Sequence, residues 1–166
     1  MRKNTVIPMN SGSGRKRIHE VLAACEADLG DWMALAVRVK DQFPGFEEEG
    51  YRETVLRNMA RGSALCVRID GNMAGILLYS VKHGCLSCMA VAPEYRRMGV
   101  GGALVEAMLT ATTGDIWVDT FREGDPMGEA PRALYRRYGF VEGELLEDFG
   151  YPVQRFIMKR GAKKNE

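Results

Sequence analysis

Val91-Ala92-Pro93-Glu94-Tyr95-Arg96-Arg97-Met98-Gly99-Val100-Gly101-Gly102 joins two segments of opposite character. Before it, Cys85 to Ala92 is a short apolar run that reads as a strand. After it, Val100, Ala103, Leu104, Ala107, Met108 and Ala111 recur at i, i+3, i+4, i+7, i+8 and i+11, the clearest amphipathic helix in the chain. A strand that runs through glycines into a helix start has a defined chemistry. The first turn of a helix carries backbone N–H groups without partners, and the helix dipole adds partial positive charge there. Glycines let the backbone approach an anion closely, and Arg96 and Arg97 flank the turn with cations. The stretch reads as a phosphate-binding turn. A Walker loop does not fit, because Gly101-Gly102-Ala103 lacks the closing Lys-Ser/Thr. A Rossmann fingerprint fits no better: Leu104 stands where its third glycine belongs, and Pro93 to Met98 separate the strand from Gly99. The remaining alternative is a glycine-rich helix start that binds nothing.

Working outward, Ala64 to Ile69 and Met73 to Val81 are apolar runs joined at Asp70-Gly71, a tight-hairpin dipeptide. With Cys85 to Ala92 they predict a largely antiparallel meander. Upstream, Arg17 to Ala24 predicts a first strand. Asp28 offers an N-cap to a helix carrying Trp32, Leu35, Ala36 and Val39, and Glu47 to Arg61 a second helix with Tyr51, Val55 and Met59 at steps of four. Downstream come a strand at Ile116 to Phe121 and a helix at Ala130 to Tyr138, with Pro131 in its first turn and Gly139 at its end. Phe140 to Leu145 and Val153 to Met158 supply the last strands. We expect residues 1–16 to be a loose arm, 17–160 one α+β domain and 161–166 a polar tail.

Composition narrows the class. The apolar share of 46% and charged share of 27% are those of a soluble globular chain. A net charge of +1 argues against a general nucleic-acid binder. No apolar run approaches membrane-spanning length, and no secretory signal follows Met1, so a cytoplasmic location with four reduced cysteines is expected. Cys85-Leu86-Ser87-Cys88 has the spacing of a metal or redox pair. On a regular strand, residues three apart face opposite ways, so the two sulfurs are expected to diverge, and no metal site is expected.

Arg96-x-x-Gly99-x-Gly101, preceded by Val91-x-Pro93 and followed by Leu134-Tyr135-Arg136-Arg137-Tyr138-Gly139-Phe140, resembles the paired signatures of the GNAT superfamily of N-acetyltransferases. The motifs cover Cys85 to Phe140, and the order of elements extends the likeness over Arg17 to Lys159. The resemblance implies a central mixed, mostly antiparallel sheet of about seven strands, splayed between Cys85–Ala92 and Ile116–Phe121, with helices on both faces. Acetyl-CoA is the implied cosubstrate. Backbone groups of Met89, Ala90 and Val91 would meet its pantetheine arm. Those of Arg96, Arg97, Met98, Gly99, Val100, Gly101 and Gly102 would surround its pyrophosphate, with Arg132 or Arg136 toward the adenosine end.

The implied activity is transfer of an acetyl group to a primary amine of a small molecule, peptide or protein, by direct attack in a ternary complex. A non-catalytic acyl-CoA sensor is the alternative. Tyr135 matches the family position that protonates the departing thiolate. It also lies beside, not within, the stripe of Ala130, Ala133, Leu134 and Tyr138, as suits a functional tyrosine. An amine of pKa near 10.4 is only about 0.1% neutral at pH 7.4, so a base is needed. Many relatives place a glutamate on the strand before the phosphate turn; this chain has Ser87 and Cys88 there. Asp119 is the favoured substitute, ahead of Glu47-Glu48-Glu49 and of Glu142, Glu144, Glu147 and Asp148. Cys88 raises a covalent acetyl-cysteine route. Trp32, Phe43, Phe46 and Tyr151 are expected near the acceptor, and analogy implies a homodimer.

Overall fold

At Asp70 and Gly71 the backbone turns with φ of +51° and +80°, the two left-handed conformations that a tight two-residue hairpin requires. That turn locks β3 (Ala64–Ile69) to β4 (Asn72–Ser80) with Ile69 opposite Asn72. β5 (Cys85–Val91) returns along β4 to complete the meander. The computed structural model describes residues 4–8 and 18–161. Among the described residues the other strands are β1 (Asn4–Pro8), β2 (Ile18–Ala23), β6 (Ile116–Phe121), β7 (Val141–Asp148) and β8 (Tyr151–Met158). They form one eight-stranded sheet in the order β1-β2-β3-β4-β5-β6-β8-β7. The eighth strand comes from the segment expected to be a loose arm: Asn4–Pro8 pairs antiparallel with β2 along its length.

All strand pairs but one are antiparallel. β5 and β6 run parallel and share a single paired position, Cys85 opposite Trp117. Beyond it the two strands part. Parallel neighbours need a crossover, here α3 (Val100–Ala111), which packs on the sheet face that also receives α4 (Glu129–Arg137). Ala103, Leu104, Ala107 and Met108 bury against Val67, Leu77 and Leu86 there. On the opposite face α1 (Leu29–Arg38) and α2 (Glu48–Arg61) bury Trp32, Ala36 and Val55 against Cys66, Ile76 and Leu78. No described helix is long and apolar enough to cross a membrane.

Asp28 stands at the N-cap position of α1 without capping it by its side chain. Its carboxylate instead accepts from the Cys25 N–H at 2.9 Å and from Arg68 on β3 at 3.0 Å. This partly buried pair ties the segment after β2 to β3. Glu47 does cap α2, accepting from Glu49 and Gly50.

One glycine decides how closely α3 approaches. A Cβ on Gly75 of β4 would stand 2.5 Å from Val100 Cγ1 and 3.0 Å from Leu104 Cδ1. The start of α3 therefore rests on bare backbone. Val100 is stiff at χ1 and fully buried, so it has little room to yield. Gly75→Ala is expected to destabilise the protein by about 1–3 kcal/mol through overpacking. Chemical denaturation checks this, and an unchanged midpoint would show that α3 can shift without cost.

Candidate active site

Between β5 and α3 the chain makes a tight turn at Pro93–Tyr95 and then alternates its handedness. Arg96 is extended, Arg97 has φ +62° and Gly99 has φ +82°, after which α3 begins. A glycine N-cap offers no side-chain acceptor, so the first N–H groups of α3 stay available to an external anion. Gly101 lies close against α4: an added Cβ would stand 3.1 Å from Leu134 Cδ2. The outer turn is tied down at two points. Arg38 of α1 grips Glu94 through both carboxylate oxygens, at 2.9 and 2.6 Å, holding that carboxyl down to about 2. His19 of β2 donates from Nε2 to the Met98 carbonyl at 2.5 Å. Arg96 and Arg97 are exposed and make no ion pair among the described residues. Sequence reading missed His19, since a lone histidine on a strand carries no motif.

Met89, Ala90 and Val91 pair with Leu77, Ile76 and Gly75 of β4. Their other edge faces the opening where β6 has diverged. The Ala90 side chain is buried, so its share in any ligand contact is backbone alone.

The far end of the opening brings Cys88, Tyr51 and Tyr135 together. Trp32 Nε1 donates to the Tyr51 hydroxyl oxygen at 3.0 Å, and that hydroxyl lies 3.5 Å from Cys88 Sγ. With its oxygen already accepting from Trp32, Tyr51 can donate its own proton to the sulfur. Burial, then the neighbouring Cys88, pushes the Tyr51 and Tyr135 hydroxyls above the ordinary phenol range. Burial lifts the Cys88 thiol to about 11, against a smaller lowering by the Tyr51 bond. All three groups hold their protons at neutral pH.

Two expectations are corrected here. Ser87 is an extra residue on β5, since Leu86 pairs with Tyr79 while Cys88 pairs with Leu78. This bulge breaks the alternation, so Cys85 and Cys88 occupy positions on the same face, opposite Ser80 and Leu78. The four cysteines are free, and no described group of three or more His, Cys, Asp or Glu could hold a metal ion. In α4 the inward stripe is not the apolar one: Ala130 and Ala133 are exposed, while Arg132 and Tyr135 are buried. The inward cation is stabilised because Arg132 Nη1 donates to the Phe121 carbonyl at 3.0 Å and Gln154 at 2.8 Å, with its guanidinium 4.8 Å from the Phe156 ring centre. Tyr135 stands within the stripe, against Phe140 and Phe156. Arg132 thus packs inward, and the exposed Arg136 pairs with Glu142.

Asp119 is on the same sheet face as Cys85, but it is not a free carboxylate. Arg155 of β8 binds both its oxygens, at 2.9 and 3.1 Å, and lies 3.8 Å from the Trp117 ring centre. Such a pair weighs against the base role expected of Asp119. Of the expected acceptor aromatics, Phe43 and Phe46 cluster with Tyr51, with centroids 5.2 to 6.3 Å apart, Trp32 is buried behind them, and Tyr151 packs edge-on to Phe121.

A parted parallel pair with a glycine helix start at one end defines an acyl-CoA N-acyltransferase fold. Residues 60–142 match the acetyltransferase (GNAT) domain, half of the chain, and the chain belongs to that family of N-acetyltransferases, which generally uses acetyl-CoA. A comparison with curated protein sequences found no match. Among solved structures, it is similar to a GNAT-family acetyltransferase from Bacillus cereus at 23% identity and TM-score 0.70, covering 87% of this chain and 99% of that one. The ribosomal-protein-S18-alanine N-acetyltransferase of Escherichia coli aligns at 17% identity and TM-score 0.64, covering 99% of both chains. A polyamine N-acetyltransferase from Drosophila melanogaster aligns at 13% identity and TM-score 0.67, over 84% of this chain and 98% of that one.

The thiol of Cys88 gives a direct check on this geometry. With a pKa near 11, its alkylation by iodoacetamide should be slow at pH 7.5 and accelerate about tenfold per pH unit up to that value. Peptide-level mass spectrometry reads the rate; fast labelling at neutral pH would mean that Cys88 is not buried beside the two tyrosines.

Proposed function

We propose that this protein transfers an acetyl group from acetyl-CoA to a primary amine by direct attack within a ternary complex. The single observation that carries the reading is the opening between β5 and β6, bounded by the bare N-terminus of α3 at one end and Tyr135 at the other. The pyrophosphate binds the N–H groups from Arg97 to Gly102, with Arg96 and Arg97 as flanking cations. The pantetheine arm takes up the free edge of Met89, Ala90 and Val91 as a strand would. The thioester then lies near Cys88 and Tyr135.

The reaction follows from those positions. The amine enters from the face that carries Tyr51, Asp119 and Tyr151, attacks the acetyl carbon, and the C–S bond breaks to leave a thiolate. Tyr135, held protonated by burial, donates a hydrogen bond to that sulfur and passes it a proton. Direct transfer is favoured over an acetyl-cysteine because a thiol of pKa near 11 is a poor nucleophile at neutral pH. The Asp119–Arg155 pair and the Trp117 ring form a charged but neutralised floor to the acceptor side. Four free thiols fit a reducing compartment, and we place the protein in the cytoplasm.

Thermal unfolding with acetyl-CoA, coenzyme A, NAD and ATP tests the cosubstrate. At 100 times its dissociation constant a ligand adds about 2.7 kcal/mol to the folded state, and the expected result is a rise of several degrees with the two coenzyme A species alone. No shift at millimolar acetyl-CoA would sink the reading. For the acid, Tyr135→Phe should lower kcat by roughly 10²-fold while acetyl-CoA still stabilises the protein. An unchanged kcat would remove Tyr135 from the chemistry.

A further inference from the structure

Transfer to an ammonium leaves one proton without a destination, and the strand before the phosphate turn offers Ser87 and Cys88 in place of a carboxylate. Strand register identifies the carboxylates on the acceptor face. Asp148 pairs with Tyr151; two residues along β8, Val153 pairs with Phe121; two residues along β6 lies Asp119, and two further Trp117 pairs with Cys85. No bulge interrupts this path, so Asp148, Tyr151, Arg155, Asp119 and Cys85 share one face. The Ser87 bulge brings Cys88 onto it as well.

Most carboxylates near this face are engaged. Asp119 is bound through both oxygens by Arg155. Asp125 accepts from the Tyr151 hydroxyl at 2.6 Å and the Met127 N–H at 3.0 Å. Glu144 is exposed, 4.0 Å from Arg155, and Glu47 caps α2. Asp148 makes no ion pair or side-chain hydrogen bond among the described residues. Its neighbour Phe149, at φ +50°, lays its ring over Gly45, where an added Cβ would be 2.4 Å from Cγ. Gly45 belongs to the segment between α1 and α2, beside the Phe43, Phe46 and Tyr51 cluster, and Tyr51 reaches Cys88. The β7–β8 turn therefore meets the α1–α2 segment through the largely exposed Phe149 ring and leaves Asp148 beside this contact, at the rim of the acceptor side.

We propose that Asp148 is the group that takes the proton from the incoming ammonium, directly or through one water. This rests on the acetyl-transfer reading above. The ammonium gives one proton to the Asp148 carboxylate; the freed lone pair forms the N–C bond; the C–S bond breaks. The second amine proton follows to the thiolate by way of Tyr135, and Asp148 returns its proton to solvent. Partial desolvation and the Asp119 charge push the Asp148 carboxyl above the ordinary range, toward a more effective base. Of the titratable groups on this face, Tyr151 stands directly opposite it on β8, and Asp119 on β6 is the charge that reaches it, with Arg155 bound to Asp119 beyond.

The test compares wild type with Asp148→Asn and Asp148→Glu, using the best acceptor from a panel of alkyl diamines and free-N-terminus peptides. For Asp148→Asn, kcat/KM for the amine should fall by roughly 10²-fold at pH 7. It should then climb about tenfold per pH unit toward wild type as the amine reaches its own pKa near 10. Asp148→Glu should restore part of the rate, and acetyl-CoA should stabilise all three proteins equally. A loss of the same size at every pH, or an unchanged profile, would overturn the assignment. Wild type that acetyl-CoA fails to stabilise would overturn the parent reading, and this one with it.

Discussion

The single paired position between β5 and β6 is the constraint on which the rest depends. A parallel pair is closed by a crossover, and α3 supplies it. Had the two strands zipped along their length, the sheet would have been continuous and the start of α3 would have sealed its end. Because pairing stops at Cys85 and Trp117, the β5 edge from Met89 to Val91 faces an opening. Buried backbone polar groups demand partners, so such an edge is stable only with water or a strand-like ligand along it. The anion site at the head of α3 and the free edge beside it are two consequences of one interrupted ladder.

What keeps that opening in shape is a set of contacts across the sheet. Gly75 lets α3 seat directly on β4, and Gly101 lets α4 seat on α3. A larger side chain at Gly75 would push the start of α3, and with it the anion site, away from β4. The charged contacts act in the same sense: Glu94 to Arg38 ties the turn to α1, and Arg132 ties α4 to the end of β6 and to β8. The exposed Glu94 pair adds little stability by itself. Its contribution is to restrict the turn that precedes Gly99.

Much of this was legible in the sequence because it is local. Asp70-Gly71 dictates a hairpin by φ alone, and the repeat from Val100 to Ala111 dictates a helix whose start is glycine. The motif pair around Arg96 and Tyr135 places the cleft. Features fixed by partners distant in the chain were not legible. Alternation along β5 puts Cys85 and Cys88 on opposite faces unless one knows that Ser87 bulges against β4. An arginine reads as solvent-facing until Gln154, Glu142 and the Phe121 carbonyl surround it, so the inward stripe of α4 differs from its apolar one. Asp119 looks available until Arg155 arrives from another strand. The pairing of Asn4–Pro8 with β2 has no signal in its polar surroundings.

The same partners shape the chemistry of the departing sulfur. A free thiol titrates near 8.5, whereas burial holds the Tyr135 hydroxyl above the ordinary phenol range. A full proton transfer from this phenol to a finished thiolate is therefore uphill. The hydrogen bond is strongest while charge is still building on the sulfur and the amine nitrogen is becoming acidic. Tyr135 is suited to a concerted hand-over, in which the proton gained by the sulfur is made good by the one leaving the nitrogen. A less buried tyrosine would be the stronger acid, yet its hydrogen bond would be weakened by water. Burial against Phe140 and Phe156 thus favours stabilising the charge as it forms over simple acid strength.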